Sequence, residues 1–318
     1  MADRLTMQKP LALEAGATLG VFTPSEPLTE DRRQMVAEGV RILEDAVFKV
    51  KTGRRYEARS HHTAGSPLER VADVHELLAD DDVRALITSW GGKSCCQLLP
   101  LIDYGAFRKC RKPLIGFSDG GVLVNAIVAK AGLVSFYGPN VVGKLSHSMY
   151  ADLRQLLSGR LRAGTNLLAD ATGEPSSCVL SPGAAEGHLV GGNLSTFSDA
   201  IMGTDYAPPF EDWILIWESG PRTSQALDTL LWSVKLSCDS HRIRGMVIGD
   251  CRLKEDARWG TQSLREIVSS VFGDDVPILH APVFGHRDLP NPAFPIGSRV
   301  VLDTSATSLV LEESAVEE

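Results

Sequence analysis

Apolar and polar positions alternate along the first half of the chain with two different periods. "ATLGVFTPSEP" is a short apolar run closed by Pro and Ser, the pattern of a buried strand and its exit loop. "TEDRRQMVAEGVRILEDA" follows, with Met35, Val36, Val40, Ile42 and Leu43 on one helical side. "SPLERVADVHELLAD" opens with a helix start signal: Ser66 as N-cap, Pro67 in the first turn and Glu69 completing a capping box. "VRALITSW" reads as a strand, "GGKSCCQLLPLID" as a glycine turn entering a short helix, and "KPLIGFS" as another strand. "DGGVLVNAIVAKAG" and "LVSFYGP" then read as a helix and a further strand. Such alternation predicts a parallel sheet covered by helices, a Rossmann-like α/β domain over residues 10–162.

From about residue 163 the period is lost. Residues 163–182, rich in Gly, Ser, Pro and Ala, read as a linker. Beyond it, "HLVGGNLST", "WILIWE", "GMVIGDC" and "PILHAPV" read as strands, and "SQALDTLLWSVKL" as a long helix. "SRVVLDTSATSLVLEES" predicts a terminal hairpin, so residues 183–318 are expected to form a second, β-rich α/β domain.

Composition removes several classes of function. With 43% hydrophobic and 23% charged residues the 318-residue chain has an ordinary globular make-up. Its net charge of −8 argues against a nucleic-acid backbone or an anionic membrane surface as partner. The absence of a spanning apolar run or a signal-like start points to the cytoplasm. There the six cysteines are expected as free thiols, and their spacing offers no zinc site.

Candidate chemistry lies at predicted strand ends, where open parallel sheets bind ligands. Gly116-Phe117-Ser118-Asp119-Gly120 matches G-x-S-x-G at a strand-to-helix turn, although the second glycine is read as incidental. Ser118 is either a nucleophile or a helix cap. If it attacks a carbonyl, the backbone N–H groups of Asp119 and of Gly91 or Gly92 can hold the oxyanion. Glu218 closes a run of five apolar residues, where a carboxylate either finds a partner or turns outward. His286 sits in a Gly/Pro-rich loop just past a strand, as a base or as a structural residue. His188 is the alternative base, and His61-His62 suit solvent. Trp90 either lines a pocket or joins the core; Lys93 and Arg287 either read a substrate carboxylate or face solvent. Ser118, Glu218 and His286 together supply the three parts of a serine hydrolase, with no metal or cofactor required. Their order is also that of α/β-hydrolases, but the acid and base fall beyond a linker, and no HGGG-type segment is evident.

These residues, with "RVADVHELLADDDVRALITSWGGKSCCQLLPLIDY", "KPLIGFSDGGVLVNAI", "EGHLVGGNLST", "WILIWES" and "GHRDLPNPAFPIG", resemble the LD-carboxypeptidase family over nearly the whole chain. That family includes murein tetrapeptide carboxypeptidases and microcin C immunity peptidases. The resemblance implies a Ser118–His286–Glu218 triad, an active site between two domains, a homodimer, and cleavage of an L–D amide to release D-alanine. An immunity-type hydrolase of aminoacyl-nucleotide conjugates is the alternative branch, and a cleft-binding module with little turnover the alternative class. Against the immunity branch, residues 160–187 contain no aromatic side chain to stack on a base.

Overall fold

The computed structural model describes residues 6–142, 161–169, 176–238, 242–287, 289 and 291–317. The chain divides into two compact units, residues 1–162, 293–297 and 314–318 in the first and residues 163–292 and 298–313 in the second. None of the described helices is long and apolar enough to cross a membrane.

The first unit contains β1 (Thr18–Phe22), α1 (Glu30–Asp45), β2 (Lys49–Thr52), α2 (Pro67–Ala79) and β3 (Val83–Thr88). A short 3₁₀ turn (Cys95–Leu98), α3 (Tyr104–Cys110), β4 (Leu114–Gly116), α4 (Gly120–Ala131) and β5 (Ser135–Tyr137) follow. Strands β1 to β5 are all parallel, and their order is β5-β4-β3-β1-β2. The sequence reading of a parallel sheet alternating with helices is therefore correct. The capping box of α2 is present: Ser66 Oγ accepts from Glu69 N, and the Glu69 carboxylate accepts from Ser66 N. Only α1 positions Val36, Gly39 and Leu43 are buried, an amphipathic stripe. By contrast, α4 is buried nearly all round, from Gly120 through Val128 and at Ala131. Each fully buried Val, Leu or Ile there contributes about 1.5–3 kcal/mol relative to exposure.

An unforeseen strand completes this sheet. β11 (Phe294–Ile296) pairs antiparallel with β5, setting Phe294 opposite Tyr137 and Ile296 opposite Ser135. Residues 293–297 and 314–318 thus return to the first unit.

The second unit has β6 (Cys178–Ser181), β7 (Ala184–Asn193), α5 (Leu194–Ala200), β8 (Trp213–Thr223), α6 (Ser224–Ser237), β9 (Ile243–Lys254), α7 (Leu264–Phe272) and β10 (Ile278–His280). β12 (Arg299–Asp303) and β13 (Ser308–Leu311) form the expected antiparallel hairpin. The sheet order is β13-β12-β7-β8-β9-β10-β6. Its centre, β7 to β10, is parallel, with a helix in each connection. β-rich describes this unit correctly, yet its middle repeats the strand–helix logic of the first. Within the stretch read as a linker, residues 178–181 form β6, while residues 170–175 lie outside the described residues.

Candidate active site

In the first unit the informative place is the carboxyl end of β4. Three residues of strand end at Gly116, and α4 begins at Gly120, so the chain reverses direction within Phe117–Asp119. Ser118 occupies the turn with φ of +56°, a left-handed conformation that a non-glycine residue adopts at a cost of about 1–3 kcal/mol. Such strain holds a side chain clear of both flanking elements. The turn is fixed by Phe117 N donating to Asn140 Oδ1 (3.3 Å) and Ser118 N donating to Tyr137 Oη (3.4 Å).

Both glycines of the motif have steric reasons. A Cβ on Gly116 would lie 3.0 Å from the carbonyl carbon and oxygen of Gly120. One on Gly120 would lie 3.1 Å from Thr88 Oγ1 on β3. The second glycine, read from the sequence as incidental, is what allows α4 to start against β3.

The Gly91-Gly92 turn leaves β3 beside this elbow. A Cβ on Gly91 would meet Ser118 Cβ at 3.1 Å, Ser118 Oγ at 3.3 Å and Asp119 N at 3.7 Å. Gly91 therefore leaves open the space that borders both the Ser118 hydroxyl and the Asp119 N–H. Gly92 has φ of +147°, and a Cβ there would strike Ser25 Oγ at 2.4 Å. Asp119 precedes α4 without capping it, and its carboxylate bonds elsewhere. Trp90 is partly exposed under the guanidinium of Arg32, 4.7 Å from the ring centre, so it is not a core residue. Lys93 is exposed.

In the second unit Glu218 is completely buried on β8. Its partners come from the neighbouring elements. Asn193, opposite it in the β7–β8 register, donates from Nδ2 to Oε1 at 3.0 Å. His286 Nδ1 lies 2.7 Å from Oε2, and the carboxylate accepts its proton, which makes Nε2 the basic nitrogen of the ring. The demand for a partner at Glu218, evident from the apolar run before it, is met twice.

Burial opposes the charged imidazolium of His286, but the hydrogen bond and charge of Glu218, with Asp250 behind them, outweigh it. The net effect raises the His286 pKa above the usual 6.5. The ring remains accessible, its side chain 36% exposed.

Glycines deliver both partners. A Cβ on Gly191 would come within 2.0 Å of the Ile216 carbonyl, and φ is +117° at Gly191 and +138° at Gly192. These glycines lead directly into Asn193, the register partner of Glu218. Gly285, with φ of +140°, presses on Asp250, where a Cβ would lie 2.6 Å from that residue's own Cβ. Asn291 Oδ1 accepts from Gly285 N at 2.6 Å and closes the loop that carries His286.

Arg287 is committed in part to an ion pair, its Nε 2.8 Å from Oδ1 of the buried Asp250. The alternative base, His188, is held by Asp212 (Nδ1 to Oδ1, 2.7 Å) and stacked on Phe210 at 4.0 Å between ring centres. It lies five residues before Asn193 on β7, about 17 Å along the strand from Glu218's row. His61 and His62 are exposed in the first unit, as expected. All six cysteines are free thiols, with Cys95 buried. Burial pushes the Cys251 thiol up to about 12, helped by the charges of Asp250 and Glu218.

Comparison with known proteins matches both halves of the chain. Residues 19–138 match the LD-carboxypeptidase N-terminal domain, and residues 186–302 match the LD-carboxypeptidase C-terminal domain. The chain is 31% identical over 294 residues to the murein tetrapeptide carboxypeptidase of Pseudomonas aeruginosa, covering 90% of this chain and 92% of that protein. It is 29% identical over 316 residues to a probable murein peptide carboxypeptidase of Bacillus subtilis, covering 97% and 96%. Its fold matches the solved structure of MccF in complex with glutamyl sulfamoyl guanosine with a TM-score of 0.85. That match has 23% identity and covers 97% of this chain and 99% of that one. The chain belongs to the LD-carboxypeptidase family of serine peptidases.

Proposed function

We propose that this enzyme removes the C-terminal residue of a murein-type peptide by cleaving an L–D amide, with Ser118, His286 and Glu218 as its catalytic triad. The observation that carries the reading is the fully buried Glu218 bound to Nδ1 of an accessible histidine. Glu218 sets the tautomer and stabilises the imidazolium, so Nε2 can take the Ser118 proton as Oγ attacks the amide carbon. The tetrahedral oxyanion is received by the Asp119 N–H and the Gly91-Gly92 turn. As the intermediate collapses, His286 returns the proton to the departing amine, here D-alanine. A water activated by the same nitrogen then hydrolyses the acyl-enzyme. The reading requires the two units to present their groups to one substrate.

The substrate assignment draws support from relatives named for murein peptides. The missing aromatic in residues 160–187 weighs against nucleotide conjugates. The deciding experiment offers the purified protein a murein tetrapeptide and an aminoacyl sulfamoyl adenosine in parallel. Release of D-alanine from the tetrapeptide, with the nucleoside conjugate turned over more slowly, supports the reading; the reverse preference moves the enzyme to the immunity branch. Failure of a fluorophosphonate to label Ser118 would indicate a binder instead of a hydrolase. The family resemblance further implies a cytoplasmic homodimer, which light scattering on the purified protein tests for the dimer.

A further inference from the structure

Asp119 is 2% exposed, and its side chain serves neighbouring loops instead of the helix that it precedes. Oδ2 accepts from Ser25 Oγ at 2.6 Å, Ser94 N at 2.8 Å and Cys95 N at 2.9 Å. Ser25 lies just past β1, whereas Ser94 and Cys95 follow the Gly91-Gly92 turn past β3. Ser94 N also donates to Ser25 Oγ at 3.0 Å, and Glu26 N donates to Gly91 O at 3.2 Å. A carboxylate at the start of a helix ordinarily bonds that helix's own N–H groups. Here it joins three chain segments.

A buried cation braces the same loops from the other side. Arg70 of α2 is 2% exposed and donates from Nη1 to Pro24 O (2.5 Å) and Ser94 O (3.2 Å), and from Nη2 to Gln97 Oε1 (2.5 Å). Burial lowers the Arg70 pKa, and the nearby charge of Asp119 is among the influences opposing that shift. Two opposite charges thus meet at Ser94 within a network of directed hydrogen bonds, an arrangement that resists small displacements.

We propose that the Asp119 carboxylate is a positioning group for the oxyanion site, holding the Gly91-Gly92 turn at a set distance from Ser118 and from its own N–H. The proposal rests on the reading of Ser118 as the nucleophile. Its physical basis is the clearance beside Gly91: only 3.3 Å separates its Cβ position from Ser118 Oγ. A drift of a few tenths of an ångström in the turn there changes whether donors meet a tetrahedral oxygen. The backbone N–H of Asp119 acts on the substrate, and its side chain acts only through the turn.

The test compares Asp119→Asn and Ser25→Ala with the wild type, both at full length. Ser25→Ala removes one of the three donors while sparing the buried carboxylate, so it keeps the question open should Asp119→Asn fold poorly. Three quantities are measured: kcat, KM, and the inhibition constant of a peptidyl boronate, which forms a tetrahedral adduct on serine. Substrate affinity is measured separately in a Ser118→Ala background. In Asp119→Asn, kcat and boronate affinity should fall together by roughly ten- to a hundredfold, and in Ser25→Ala by less. Substrate affinity in the Ser118→Ala background should stay within roughly twofold. Unchanged kcat and boronate affinity in both variants would overturn the proposal. So would a loss of substrate affinity as large as the loss of kcat, since that indicates general damage. Turnover by Ser118→Ala alone would instead remove the mechanism on which the proposal rests.

Discussion

Asn193 Nδ2 and Glu218 Oε1 lie 3.0 Å apart as register partners on β7 and β8, so the buried carboxylate is held through one oxygen by Asn193 and through the other by His286. Asn193 also caps α5, its Oδ1 accepting from Thr196 N and Ser195 Oγ. Asn193→Ala should therefore have two separable effects. Loss of the cap should lower stability by about 1 kcal/mol, read from denaturant unfolding. Loss of the donor should lower kcat, because Glu218 can then rotate off the imidazole. An activity loss that disappears at a temperature where the variant is fully folded would show that only the cap matters.

The pH profile should report the Glu218–His286 pair. His286 must be neutral to act as base, and its pKa is raised above 6.5. Activity should therefore fall with acid along a limb set above pH 6.5 in the free enzyme. Glu218→Gln removes the charge that outweighs burial, so the limb should move to lower pH while kcat drops by about a thousandfold or more. An acid limb that stays in place in Glu218→Gln would show that another group controls it. The protonation also bears on stability. A raised histidine pKa favours the folded state below the unfolded value, and that contribution is lost as pH rises through the folded one.

Gly91 and Gly92 should respond differently to alanine. At Gly91 the methyl enters the space beside Ser118 Oγ and Asp119 N with backbone torsions that alanine tolerates. Catalysis should fall by about a hundredfold with little change in melting temperature. At Gly92 the methyl meets Ser25 Oγ, Glu26 Cγ and the Glu26 backbone in a left-handed conformation, so stability falls as well. Equal melting and activity losses in the two variants would contradict this separation.

Ser118 stores strain in its backbone torsion. Ser118→Gly should abolish hydrolysis and raise stability by roughly 1 kcal/mol, because glycine accepts a φ of +56° without penalty. Ser118→Ala should abolish hydrolysis without that gain. A destabilised Ser118→Gly protein would mean that the hydroxyl contributes more to the turn than the torsion costs.

Much of the architecture was legible because it depends on local pattern. The capping box at Ser66 and Glu69, the parallel strands alternating with helices, and the terminal hairpin all follow from short-range periods and turn residues. β11 was not, since a three-residue strand containing Pro295 carries no period and its partner β5 lies far away in the chain. At the candidate site, the exposed strand ends and the unaccompanied charge of Glu218 point from sequence to where chemistry can occur. Asn193 is not legible because "HLVGGNLST" shows only an apolar run and a glycine turn, with nothing to mark its partner on the next strand. Arg70 and Ser25 escape because their bonds to Ser94 and Asp119 span 24 and 94 residues. The need for Gly120 is not legible because the side chain that it makes room for, Thr88, lies on β3 and far back in the chain.

The return of residues 294–296 to the sheet of β5 sets an order on biosynthesis. On the ribosome, β1 to β5 emerge first, but the edge of β5 has no partner until Phe294 leaves the exit tunnel. Through that interval Ser135–Tyr137 present unpaired N–H and C=O groups, an invitation to strand-mediated aggregation. The sheet bearing Ser118 is completed only after nearly all of the second unit has been translated, so truncated chains should depend on chaperones where the full-length chain does not.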